Sequence, residues 1–130
     1  MSEAKYRISV KALITDETNR FLLTCEENGI WELLGGGLKF AETAQECLIR
    51  ELKEEAGLQI TSVANRPSYF VTADNDKGEW KANIIYAVKV KDLNFRPSDE
   101  CIELRYFTKE EALEVNLYPT VREFVKRFDV

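Results

Sequence analysis

The chain has no histidine, one methionine and three prolines among its 130 residues. Without imidazole it can build neither a histidine general base nor a histidine-bearing zinc site. Cysteine is scarce and odd in number: Cys25, Cys47 and Cys101 are widely spaced and match no metal-ligand pattern. They read as buried or idle thiols in a reducing, cytoplasmic setting rather than as a disulfide framework. Apolar runs are short, as at residues 84–88, whereas a membrane span needs about 20. Residues 1–6 lack the apolar run of a secretory signal. Positive charge is also in deficit, with 18 Lys and Arg against 23 Asp and Glu and a net charge of −5. That balance argues against a nucleic-acid partner held by basic surface alone. Phosphate remains open to such a chain if a divalent cation mediates.

What is present suits a packed core: 45% of residues are hydrophobic and 11% aromatic. No repeat or linker divides the sequence, so one domain over residues 1–130 is expected. Ile8, Val10, Ala12 and Ile14 alternate on one face of a strand, turn residues 16–19 follow, and a second strand starts at Phe21. Together they predict a hairpin. Gly35-Gly36-Gly37 reads as a loop leading to the clearest helix. There Thr43 and Glu46 form a capping box, Leu48, Ile49, Leu52 and Ala56 an apolar stripe, and Gly57 a C′ stop. Further strands are expected at 58–63, 68–72, 80–90 and 104–107. A second capping box, Thr108 to Glu111, opens a short helix. Pro119 starts the last helix, with Val121, Phe124, Val125 and Phe128 as a core stripe. Strands interspersed with three helices predict an α/β domain with a mixed sheet.

On the central helix Glu51, Glu54 and Glu55 fall within roughly 100° of one another. Like charges therefore face each other at i, i+3 and i, i+4, in the half of the helix whose dipole disfavours anions. A divalent cation relieves both conflicts, and hard oxygen ligands at this spacing suit Mg²⁺. The segment around them reads G-x5-E-x7-R-E-L-x-E-E-x-G-L, from Gly36 through Glu42, Arg50, Glu51, Leu52, Glu54, Glu55 and Gly57 to Leu58. A chance match is on the order of 10⁻⁸ for a chain of this length.

This segment resembles the signature of the Nudix hydrolase family. The resemblance implies an α/β/α sandwich with a mixed central sheet. It also implies Mg²⁺-dependent hydrolysis, with Mn²⁺ a substitute, of a nucleoside diphosphate linked to another group. By matching positions, Glu51, Glu54 and Glu55 would hold the metal, with the carbonyl of Gly35 or Gly36 as a backbone ligand. Arg50 would orient a glutamate, and Glu42 would support the metal shell. Glu51 or Glu54 would accept the proton of the attacking water, with Glu100 or Glu103 as alternative bases. Departures from the family pattern are Leu34 for Pro, Lys39 for Glu and Ala41 for Gly. They bear on substrate choice more than on activity, and Lys39 is a candidate phosphate contact. Trp31 and Phe40 flank the motif as candidate base-stacking residues.

The leading expectation is a MutT-like enzyme that converts a nucleoside triphosphate to monophosphate and pyrophosphate. The partner is then a small-molecule nucleotide, and the oligomeric state stays open. The alternatives are a non-catalytic nucleotide sensor on the same fold, or a hydrolase of nucleotide sugars or dinucleoside polyphosphates. Residues 74–78 look like a calcium loop, but glycine falls at the fifth position and the twelfth is Ile85. A hairpin turn is expected there instead.

Overall fold

The computed structural model describes residues 3–129. Its elements in chain order are β1 (Arg7–Leu13), β2 (Phe21–Cys25), β3 (Trp31–Glu32), β4 (Gly35–Gly37), α1 (Ala44–Ala56), β5 (Ile60–Val63), β6 (Tyr69–Asp74), β7 (Trp80–Val90), β8 (Glu103–Phe107), α2 (Lys109–Ala112) and α3 (Pro119–Arg127). The long alternating strand β7 is the spine. One edge pairs in parallel with β1, from Arg7↔Lys81 to Leu13↔Ala87. The other edge takes β6 and then β5, both antiparallel. β4 closes the far side of β1, and β3, β2 and β8 make a second, three-stranded sheet.

The predicted hairpin does not form. Only the turn closes: Thr15, past the end of β1, bridges Phe21, with the Leu22 N–H on the Ile14 carbonyl and the Asp16 N–H on the Arg20 carbonyl, while β1 and β2 themselves lie in different sheets. Both edges of β1 are already taken, by β4 and β7. β2 is buried along its whole length, as a strand between layers must be. The glycine run is also strand rather than loop: Gly35, Gly36 and Gly37 pair with Lys11, Val10 and Ser9.

Helix α1 begins and ends as its sequence dictates. Thr43 Oγ1 accepts from the Glu46 N–H at 3.1 Å, and Glu46 Oε1 accepts from the Thr43 N–H at 2.9 Å. Gly57 takes the left-handed conformation, with φ at 66°. The buried side is Cys47, Leu48, Leu52, Glu55 and Ala56. Ile49, expected in the apolar stripe, faces solvent because the stripe centres between Leu48 and Leu52 and Ile49 lies about 80° from that centre.

Two apolar clusters define the layers. Val10, Ala12, Leu48, Leu52 and Val88 pack α1 against the larger sheet. Phe21, Leu33, Ile85, Phe107 and Phe124 pack the smaller sheet and α3 against its other face. The result is the mixed-sheet α/β domain that the sequence pattern predicts, in the α/β/α sandwich that the resemblance implies. Truncating Leu52 to Ala would cost about 2–5 kcal/mol at this depth. Cys25, Cys47 and Cys101 are buried free thiols. Among the described residues no helix is long and apolar enough to cross a membrane.

Candidate active site

The capping box fixes where α1 starts, and this puts Arg50 directly over the β4 strand. Its guanidinium gathers three carboxylates. Nε and Nη2 donate to the two oxygens of Glu42 at 2.7 and 2.9 Å. Nη1 donates to Glu51 at 2.8 Å and to Glu54 at 3.4 Å. Nη2 also donates to the Gly37 carbonyl at 3.1 Å, tying helix to strand. The fork on Glu42, joined by the Lys39 N–H at 3.0 Å, holds that carboxyl well below the usual range, at about 2. Glu51 lies flat on the strand: a Cβ at Gly36 would sit 2.5 Å from its carboxyl carbon. Glycine is required there by the approach of Glu51 rather than by the backbone angle.

Glu55 points the other way and is only 4% exposed. It accepts the Gly35 N–H at 2.9 Å. Burial pushes its carboxyl up to about 8, against the opposing pull of Lys11 and the Gly35 N–H. Lys11 itself is 6% exposed. Its ammonium donates to the carbonyls of Leu33 and Gly35 at 3.4 and 3.1 Å and lies 3.7 Å from Glu32. Glu32 in turn accepts the Leu33 N–H at 3.0 Å. Sequence reasoning assigned the repulsion among the helix glutamates to a divalent cation alone. Two resident cations share that role: Arg50 on Glu51 and Glu54, and Lys11 near Glu55.

Other predicted residues are scattered. Glu100 is exposed, and its charge helps raise the Glu55 carboxyl. Glu103 lies on β8 opposite Cys25. Lys39 and the fully exposed Phe40 line an open groove of about 630 Å³ with Tyr6, Ile8 and Glu51. Trp31 is not on that surface. It is buried in the second core, edge-on to Phe107 with a centroid separation of 4.9 Å and under the Arg105 guanidinium. It therefore presents no free face for a base to stack on. Ala41, where the family has Gly, holds a left-handed φ of 64°.

Among the described residues no three acidic or thiol side chains converge tightly enough to enclose a metal ion as they stand. The chemistry of the donors nevertheless fits a hard cation. Glu51 and Glu54 already meet on one cationic nitrogen, and Glu54 is mostly exposed and able to turn. The Gly35 carbonyl, the predicted backbone ligand, has one lone pair engaged by Lys11 and a second free.

Sequence reasoning missed a polar cleft of about 320 Å³ between the β1–β7–β6 face and the loop leading into α3. Ser9, Lys11, Glu32, Asn83, Tyr118 and Thr120 line it. Asn83 is 2% exposed, and among the described residues its Nδ2 has no hydrogen-bond partner. The available signal was the second face of β1 and β7, where Ser9, Lys11 and Asn83 interrupt apolar strands. Only the register Ser9↔Asn83 shows that they share a wall.

Known proteins resemble this chain in sequence and in fold. An 8-oxo-dGTP diphosphatase of Proteus vulgaris is 34% identical over 65 residues, 47% of this chain and 58% of that protein. An ADP-ribose pyrophosphatase of Methanocaldococcus jannaschii is 29% identical over 98 residues, 72% of this chain and 57% of its own length. The chain spans about half the length of the curated relatives it matches. The crystal structure of a MutT protein from Methanosarcina mazei Go1 superposes with a TM-score of 0.80 at 29% identity, covering 99% of this chain and 96% of that one. The sequence model of the NUDIX domain matches residues 5–128, from before β1 to beyond the end of α3, so this chain belongs to the NUDIX family.

Proposed function

We propose that residues 1–130 form one hydrolase domain that cleaves a phosphoric anhydride in nucleoside diphosphate derivatives, most specifically a nucleoside triphosphate to monophosphate and pyrophosphate. The observation that carries this reading is the Arg50 hub, which gathers Glu42, Glu51 and Glu54 over Gly36 and Gly37. The names of the two curated relatives, both acting on purine nucleotides, support it. In this reading Glu51, Glu54 and Glu55, with the Gly35 carbonyl, would hold Mg²⁺. When bound, the cation supplies charge neutralisation of the diphosphate and acidifies water.

The chain's own residues do the rest. Glu42 fixes Arg50 through both carboxylate oxygens, and Arg50 holds Glu51 against the glycine strand. Water attacks phosphorus, the bridging P–O bond breaks, and pyrophosphate leaves. The water's proton passes to Glu54, the exposed carboxylate held only at 3.4 Å by Arg50, or to Glu51. Lys11 fixes the entry to β4 by its bonds to the Leu33 carbonyl before the strand and the Gly35 carbonyl at its start, and it faces the cleft where the nucleoside would lie.

A phosphate-release screen with Mg²⁺ over nucleoside triphosphates, nucleotide sugars and dinucleoside polyphosphates tests the reading. Turnover should require the cation and vanish in EDTA. Glu54→Gln and Glu55→Gln should each lower kcat by roughly a hundredfold or more. Tight nucleotide binding without hydrolysis of any panel member, with Mg²⁺ or Mn²⁺ present, would instead identify a nucleotide sensor.

A further inference from the structure

Of the nine large apolar side chains left exposed among the described residues, six lie on one face: Tyr6, Ile8, Leu38, Phe40, Phe70 and Trp80. Strand alternation brings them together. Ile8 sits beside Ala82, Phe70 sits beside Ile84, and Trp80 is two residues before Ala82, so these side chains share the α1 side of the larger sheet. Helix α1 packs on β4, β1 and β5, and this end of the face stays uncovered. Tyr6 stands edge-on to Trp80 with centroids 6.1 Å apart, and the Leu38 N–H donates to the Ile8 carbonyl at 3.1 Å. The patch therefore runs without a break from the loop after β4 to β6. Its four aromatics alone leave open the equivalent of roughly two and a half whole aromatic side chains, or about 400–650 Å². The largest apolar patch on a typical monomer is about 300–600 Å², and one side of a stable interface is about 800 Å² with its polar rim included. Ile8 and Leu38 add to the total, so the face has the area that a stable dimer needs.

We propose that this face is the contact between two copies of the chain, joined about a two-fold axis with Phe40 of each copy seated in the groove of the other. A two-fold contact uses the same patch twice, so the patch must carry both a projection and a recess. Phe40 is the projection, fully exposed at the rim of the open groove. Its turn is already fixed: Glu42 accepts the Lys39 N–H at 3.0 Å, returns its own N–H to the Lys39 carbonyl at 3.2 Å, and is clamped by Arg50. Little order remains to be imposed on binding. The recess is the groove that Tyr6, Ile8 and Leu38 line, with a volume of about 630 Å³. An apolar space of about 150 Å³ takes a benzene ring, so the partner's phenyl group has room. Charge permits the contact as well. The chain carries −5 overall, yet the groove's charged residues balance, Arg7 and Lys39 against Glu42 and Glu51. Two copies would thus meet away from their acidic excess, through aromatic side chains of the kind that anchor interfaces.

Sedimentation velocity on the intact chain, from about 1 to 100 µM, tests this without any turnover, so its outcome is independent of the hydrolase reading. The wild type should sediment at twice the chain mass, with a Kd in the micromolar range or below. Raising the salt to about 1 M should leave the dimer intact, because screening weakens ion pairs and not apolar contact. Phe70→Lys and Trp80→Lys put a charge into the contact from exposed strand positions and should each raise Kd by at least about tenfold. Phe70→Thr, which keeps a strand-forming residue, should weaken the dimer in the same direction if the lysine disturbs folding. Ile102→Lys, at an exposed apolar residue beside β2, is the control and should leave Kd unchanged. Circular dichroism melts establish that each variant is folded. A wild type that stays monomeric to about 100 µM would give the face to a different partner and overturn the proposal. A dimer that dissociates in high salt, or one unaffected in folded Phe70→Lys and Trp80→Lys proteins, would overturn it too.

Discussion

Two adjacent glycines should respond in opposite ways to the same added methyl group. At Gly36 the backbone angle is ordinary, and the nearest atoms a Cβ would meet are those of the Glu51 carboxyl group, at 2.5–2.6 Å. Restoring a normal contact of about 3.5 Å moves that carboxylate by about 1 Å. The Glu51–Arg50 bond, now 2.8 Å, then exceeds hydrogen-bonding range. Losing a charge-assisted bond costs about 1.5–3 kcal/mol. The stiffer unfolded chain returns about 0.4–1 kcal/mol. Gly36→Ala should therefore fold, lose about 1–2 kcal/mol and lose most of its activity, since a 1 Å displacement can cost about a hundredfold in rate. Gly35 differs. Its φ of 128° lies where side chains rarely go, and a Cβ would collide with the Val10 carbonyl and lie 2.8 Å from Lys11 Cα. Backbone in a paired strand cannot step aside, so strain and overpacking add to about 2–6 kcal/mol. Gly35→Ala should be crippled in folding, out of a typical total of about 5–15 kcal/mol. Thermal melts by circular dichroism, with kcat/KM on a substrate from the screen, separate the two. A fully active Gly36→Ala, or a Gly35→Ala as stable as wild type, refutes the reasoning.

Other outcomes follow from the same geometry. In EDTA the protein should lose stability as pH rises. A carboxyl raised from 4.5 to about 8 binds more protons folded than unfolded, so the Glu55 contribution is full below about 4.5 and lost as pH climbs towards 8. The loss is of order 3 kcal/mol by pH 7, and Glu55→Gln should flatten that slope in melts from pH 5 to 9. A steep slope retained in Glu55→Gln would assign it elsewhere. Saturating Mg²⁺ should raise Tm, by about 2.7 kcal/mol of stabilisation at a hundred times its Kd. No shift up to millimolar Mg²⁺ would count against the carboxylates as ligands. Arg50→Lys should lower Tm by several degrees, because an ammonium cannot fork onto both oxygens of Glu42. An unchanged melt would show the fork to be dispensable. Ala41→Gly should be neutral or raise Tm by a few degrees, relieving a left-handed alanine. A lower Tm would mean that the methyl packs usefully.

Local chemistry was legible along the chain because it depends on near neighbours. The capping boxes at Thr43 and Thr108, the Gly57 stop and the span of β7 follow from spacing alone, and the structure reproduces them. So does the placement of Glu51, Glu54 and Glu55 on one helix, which periodicity determines. What the tertiary structure decided are partnerships between distant segments. β1 takes β4 and β7 in place of the adjacent β2, and the glycine run becomes a strand because Val10 and Lys11 supply its hydrogen bonds. Ile49 and Trp31 exchange their expected surroundings for the same reason: the helix stripe and the second core are set by what packs against them. Glu55 is separated from its sisters by burial, and Asn83 meets Ser9 across 74 positions only through the parallel register. Periodicity carries information over a few residues. The pairing of strands, and with it the cleft, depends on how buried faces and edges are shared across the whole chain.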